Sequence, residues 1–121
     1  MGIYKRLDRK HGMIHLLREP ATAQDVKEMV EVHESYIKVA VDIRRGVLAG
    51  GGEFHADCES VLVEDGNQRE DVWGADWLPD AQVVRCSALI NIRPRVNAAM
   101  DIQDPTIRQQ VEAIVRRLLQ S

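Results

Sequence analysis

The stretch "YIKVAVDIRRGVLAGGG", residues 36–52, carries the reading on which the rest of the fold depends. Ile37, Val39, Val41 and Ile43 alternate with Lys38, Ala40 and Asp42, a period of two that makes a strand with one apolar face. "IRRG" supplies a turn and "VLAG" a second short apolar run, so residues 37–50 read as a β-hairpin. Gly50, Gly51 and Gly52 then interrupt the pattern. Three consecutive glycines cost more backbone entropy on folding than other residues would, so the chain needs their freedom here for a bend or for close approach of another group. Beyond them Phe54, Cys58, Val61 and Leu62 fall at helical spacing, and Gly66-Asn67 is a helix stop, which predicts a helix over about 54–65. The glycines therefore bend a strand into a helix.

Working outward, "MIHLLRE" (13–19) is a short strand ended by Pro20. Thr22 and Asp25 form a capping box with Asp in place of Glu. Val26, Met29, Val30 and His33 recur at helical spacing, which predicts a helix from about Ala23 to Ser35. On the other side, "EDVWGADWLPD" (70–80) reads as a strand interrupted by Gly74. "QVVRCSALINIRP" alternates most clearly of all, with Val84, Cys86, Ala88, Ile90 and Ile92 on one face and Val83, Arg85, Ser87, Leu89, Asn91 and Arg93 on the other. Asp104 as N-cap and Pro105 at the first position open a last helix with an apolar stripe of Ile107, Val111, Ile114, Val115 and Leu118. The order β-α-β-β-α-β-β-α makes an α+β domain with helices packed on an antiparallel or mixed sheet.

At 121 residues, 45% hydrophobic and 29% charged, the chain holds one domain. Residues 13–121 are expected to form it, with residues 1–12 a basic, flexible extension. No apolar run reaches the length of a membrane span and no signal peptide is evident, so a cytoplasmic location is expected. Cys58 and Cys86 lack the spacing of a disulfide framework or a zinc site and are expected to be small buried apolar groups. The net charge of −3 divides into +4 over residues 1–18, −10 over 19–80 and +3 over 81–121. The acidic middle argues against nucleic acid as a partner, whereas the C-terminal arginines leave room for a small anionic ligand.

The motifs "REPAT" (18–22), "IKVAVDI" (37–43), "LAGGGEFHADCESVL" (48–62), "EDGNQREDVWGADW" (64–77), "SALINIRP" (87–94) and "IQDPTIR" (102–108) together resemble a family of small bacterial proteins classed as a domain of unknown function. The resemblance spans residues 13–120 and implies that residues 1–12 are an appendage or a misassigned start. It implies no catalytic residue, because the family carries no established activity.

Three places offer chemistry. The uncapped start of the second helix, beside Gly51 and Gly52, is a place for an anion, although Glu53 and Asp57 oppose one there. His55 is the candidate acid-base group, with Asp57 and Asp42 as its carboxylates. No metal site is expected, since His55 with Cys58 or Glu59 supplies two ligands where three or four are needed. Asn91 and Arg93 emerge together from the last strand and suit recognition of a carboxylate or phosphate. Bland alternatives stand beside each: a His55 that only ties the bend down, and arginines paired internally with the many acids. The chain lacks nucleophile-elbow, zincin, phosphate-loop and dinucleotide signatures, and no cofactor is expected. The expectation is a binding or interaction module that self-associates, through the tryptophans of "WGADW" or a sheet edge. The competing expectation is a hydrolase-like enzyme built on His55, Asp57 and Asp42.

Overall fold

A computed structural model describes residues 3–8 and 12–121, with side chains from Ile14 onward. His11, in the basic N-terminal stretch, lies outside the described residues. Among the described residues six strands, Ile3–Asp8 (β1), Gly12–Leu17 (β2), Ile37–Asp42 (β3), Val47–Gly50 (β4), Val72–Leu78 (β5) and Val83–Arg85 (β6), form one sheet in the order β1-β2-β4-β3-β5-β6. Every neighbouring pair is antiparallel. Three helices, Ala23–Val30 (α1), His55–Glu64 (α2) and Pro105–Leu119 (α3), complete an α+β domain. The expected order holds, with one strand added at its start: Ile3–Asp8, from the stretch read as an extension, pairs along β2.

Helices cover both faces of the sheet because its central strands are apolar on both sides. Ile37, Val39 and Val41 of β3 join Trp73, Ala75 and Trp77 of β5 in the larger core, which α1 and α3 close with Met29, Val111, Ile114, Val115 and Leu118. Ala40 and Ala49 face the other way and pack with Ile14, Leu16 and Val72 against Cys58, Val61 and Leu62 of α2. Burying Val61 and Leu62 completely contributes ~1.5–3 kcal/mol each. No helix among the described residues is long and apolar enough to cross a membrane.

The hairpin is as expected. Asp42 shapes its turn: one carboxylate oxygen accepts the backbone N–H groups of Arg44 (2.8 Å) and Arg45 (3.0 Å). The capping box at Thr22 and Asp25 is also present, with 2.9 and 3.1 Å bonds in the two directions, and Asp104 caps α3 through the N–H of Thr106. The first helix is shorter than its spacing predicts. It ends at Val30, because the chain must turn into β3, and it does so through Glu34 at φ +66°.

The larger correction concerns residues 82–93. Only Val83–Arg85 pair as a strand, and Leu89–Asn91 make a single 3-10 turn. Side chains take over the pairing role. The amide of the fully buried Asn91 accepts the N–H of Gly74 (2.8 Å) and donates to the carbonyls of Gly74 (3.0 Å) and Met100 (3.0 Å). Asn97 in turn donates to the carbonyls of Asn91, Ala99 and Asp101. Gly74, read as an interruption, lies inside an unbroken β5, and its lack of a side chain is what admits this turn. A Cβ at Gly74 would stand 2.6 Å from Ala88 Cβ and 2.9 Å from Ile90 Cγ1.

Candidate functional site

The bend at the glycines positions the site. Gly51 has φ +101°, a conformation that L side chains rarely adopt, and its N–H donates to the Lys38 carbonyl at 3.1 Å. Gly52 is buried against Ile14 and Cys58. These two glycines thus serve the turn of the chain onto α2, whose first residue is His55.

His55 Nε2 lies 3.0 Å from the Ala75 carbonyl and 2.9 Å from Asp76 Oδ1. Both partners are acceptors, so Nε2 carries the hydrogen, and in the neutral imidazole Nδ1 then holds the lone pair. Nδ1 has no hydrogen-bond partner among the described residues. The second oxygen of Asp76 accepts from Arg85 Nε (3.0 Å) and Nη2 (2.9 Å), and the Arg85 guanidinium lies over the Tyr36 ring. Asp76 therefore joins an imidazole to a guanidinium. Lys38 stands directly across the β3–β5 ladder from Asp76, yet its ammonium lies over the Phe54 ring, 5.6 Å from the centroid, and makes no ion pair among the described residues.

These groups border a cleft of about 470 Å³, with Phe54, Leu89, Ile90 and Met100 as its apolar walls. Phe54 and Leu89 are 55% and 70% exposed, unusual for side chains of this size. The N-terminus of α2 opens at the same place without a side-chain cap, which adds positive helix-end potential to the two cations.

Of the sequence candidates, His55 borders the cleft, as do Arg85 and Ser87 of the polar strand face, whereas Asp42, Asp57, Asn91 and Arg93 do not. Asp42 lies at the opposite end of β3, four residues from Lys38 and so about 13 Å along the strand, where it holds the hairpin turn. Asp57 is two residues along α2 from His55, a spacing that does not share a face, and the carboxylate on the ring is Asp76 instead. Asn91 is consumed in the buried contacts to Gly74. Arg93 lies over the Trp73 ring at 4.0 Å and donates to the carbonyls of Glu70 and Val72. Burial lowers its pKa from the ordinary arginine value, against the raising influence of Glu59, Glu70 and Asp71. It borders a separate depression with Glu59, Arg69 and Val96. The expected partnership of Asn91 and Arg93 at an open strand end is thus replaced by two side chains that close the edge of β5.

The sequence contained a signal for the missed residues. Lys38 and Asp76 each occupy the polar phase of an alternating strand, so both had to reach one face of the sheet. What the spacing could not tell is that β3 and β5 are neighbours in a register that sets Lys38 opposite Asp76. The other cluster missed lies on the opposite face, where the fully buried His15 of β2 meets Asp25 and Glu28 of α1.

No curated protein and no solved structure matches the chain. A family model described as "Protein of unknown function (DUF5674)" matches residues 15–118, which takes in the second half of β2, β3 to β6, α1, α2, nearly all of α3 and the whole cleft. The chain belongs to that family.

Proposed function

We propose that the protein is a binding module whose cleft takes a small ligand with an anionic head and an apolar body. The observation that carries this is Lys38. Its nearest acidic neighbour across the ladder, Asp76, is already satisfied by His55 and Arg85, so the Lys38 ammonium and the open start of α2 are left for an anion, between apolar walls that remain exposed. Carboxylates and phosphates carrying a hydrocarbon or ring fit this description. A cytoplasmic location and a homodimer belong to the same proposal; the tryptophans of "WGADW", expected at the contact surface, are buried in the core, and self-association is supported instead by the exposed Leu89, Ile92, Val96 and Met100 along one segment beside the cleft.

Titration of the full chain with anilinonaphthalene sulfonate, an aromatic anion that fluoresces in apolar surroundings, tests the cleft. Saturable binding displaced by hexanoate is expected, and Lys38→Met should weaken it about tenfold, as loss of a charge-assisted contact does. Equal affinity in the parent and in Lys38→Met would overturn the proposal.

The open Nδ1 favours a second reading, with His55 as a general base oriented by Asp76. Hydrolysis of p-nitrophenyl acetate or phosphate that disappears in His55→Gln and falls in Asp76→Asn would support it. An unchanged rate in His55→Gln removes it.

A further inference from the structure

A second set of titratable side chains is assembled on the face of the sheet away from the cleft. His15 follows the alternation of β2 onto the side that α1 covers, the same side as Leu17. Asp25 and Glu28 are three apart on α1, hence on one helical face, and that face looks at His15. The geometry is close: His15 Nε2 is 3.0 Å from Glu28 Oε1, and Nδ1 is 3.5 Å from Asp25 Oδ1. One ligand atom from each of the three residues lies within 4.8 Å of the other two.

We propose that His15, Asp25 and Glu28 bind one divalent transition-metal ion of the zinc class. An imidazole nitrogen with two carboxylate oxygens is a donor set of the type such ions take in three-ligand sites, with a fourth position for water or an exogenous group. Donors on a single tetrahedral ion, with bonds of about 2.1 Å, stand about 3.4 Å apart. The two carboxylates approach different ring nitrogens, and with one ligand atom from each residue the three lie within 4.8 Å of one another, so an adjustment of about 1.4 Å at most gathers them around a single ring nitrogen.

Two of the three ligands are held in advance. His15 is fully buried on a central part of the sheet. Asp25 is fixed by the capping box, in which its Oδ2 accepts the Thr22 N–H at 2.9 Å; this leaves Oδ1 directed at the imidazole. Glu28 is the adjustable ligand. Its side chain is 30% exposed, so it can move onto an ion and provides the route by which one enters. The ion uses one ring nitrogen, and the second ring nitrogen remains to donate to an acceptor, the arrangement that orients metal-bound histidines elsewhere. Without an ion, the same three side chains link β2 to α1.

The test uses the full chain freed of metal with a chelator, titrated with Co²⁺ and followed by its visible absorption, then with Zn²⁺ in competition. Uptake of one ion per chain is expected, with absorption of the intensity that four-coordinate Co²⁺ gives, and with a rise in Tm on adding Zn²⁺. Glu28→Gln, which keeps the helix and most of the shape, should weaken binding at least tenfold while leaving the circular dichroism and anilinonaphthalene sulfonate binding as in the parent. His15→Gln should abolish it. The absence of saturable uptake would overturn the proposal, as would parental affinity in Glu28→Gln. Because the dye reports on the cleft and Co²⁺ on this cluster, failure of one site is distinguishable from failure of the other.

Discussion

The two long sides of β5 are closed in different ways. On one side β3 runs its whole length, backbone to backbone, from Ile37 opposite Trp77 to Asp42 opposite Val72. On the other, β6 covers only Asp76 to Leu78; beyond it the amide of Asn91 binds Gly74 and the guanidinium of Arg93 binds the Val72 carbonyl. An exposed strand edge invites pairing with another chain. Here two side chains occupy that edge, and the loop that carries them goes on to form the apolar wall of the cleft with Leu89, Ile90 and Met100. A side chain can thus do what a strand does for the backbone and still release the chain to build a site.

Substitutions separate the two modes. The largest effect is expected at Asn91. Asn91→Leu keeps the volume but leaves the N–H and carbonyl of Gly74 and the carbonyl of Met100 without the amide, which should cost about 3 kcal/mol or more. Urea unfolding measures it, and a loss under about 1 kcal/mol would mean that the amide is not substituting for a strand. On the backbone-paired side, the sensitive point is Gly51, whose N–H extends the β3–β4 contact to the Lys38 carbonyl. Gly51→Ala at its positive φ should cost about 1–3 kcal/mol, with the loss appearing in the unfolding midpoint and not in the slope. The smallest effect is expected where the hairpin turn touches the start of β5 through the exposed ion pair of Arg44 and Asp71. Arg44→Ala should change stability by no more than about 0.5 kcal/mol; a larger change would show that the turn needs this link to hold β3 in register.

Much of the fold was legible because local signals agreed with long-range packing. The alternation of Ile37, Val39 and Val41, the capping box at Thr22 and Asp25, and the Asp104-Pro105 start of α3 each specify an element through contacts a few residues away. The run from Val84 to Ile92 has the same alternation, yet it fails as a strand past Arg85. Val84, Cys86 and Ala88 are buried as the period requires, but Ile92 is 47% exposed and Asn91 is fully buried, so the pattern holds only as far as Ala88; what it could not convey is that Asn91 would occupy the place of the next backbone pair. The site was legible in part. His55 was found because it follows the glycines. Its carboxylate was sought among neighbours in sequence, Asp57 and Asp42, whereas the sheet supplies Asp76 from two strands away.

Taken alone, the amino-acid order determined which segments are apolar on one side, where helices begin and where the chain must bend, since those depend on side-chain period, capping and the conformational freedom of Gly51. Which strands become neighbours, and therefore which charged groups meet, was decided by the three-dimensional arrangement. Lys38, His55, Asp76 and Arg85 come from four different elements, as His15, Asp25 and Glu28 come from two. Electrostatic and hydrogen-bonding contacts act over a few ångströms in space, and only the register of the sheet brings residues so distant along the chain within that reach.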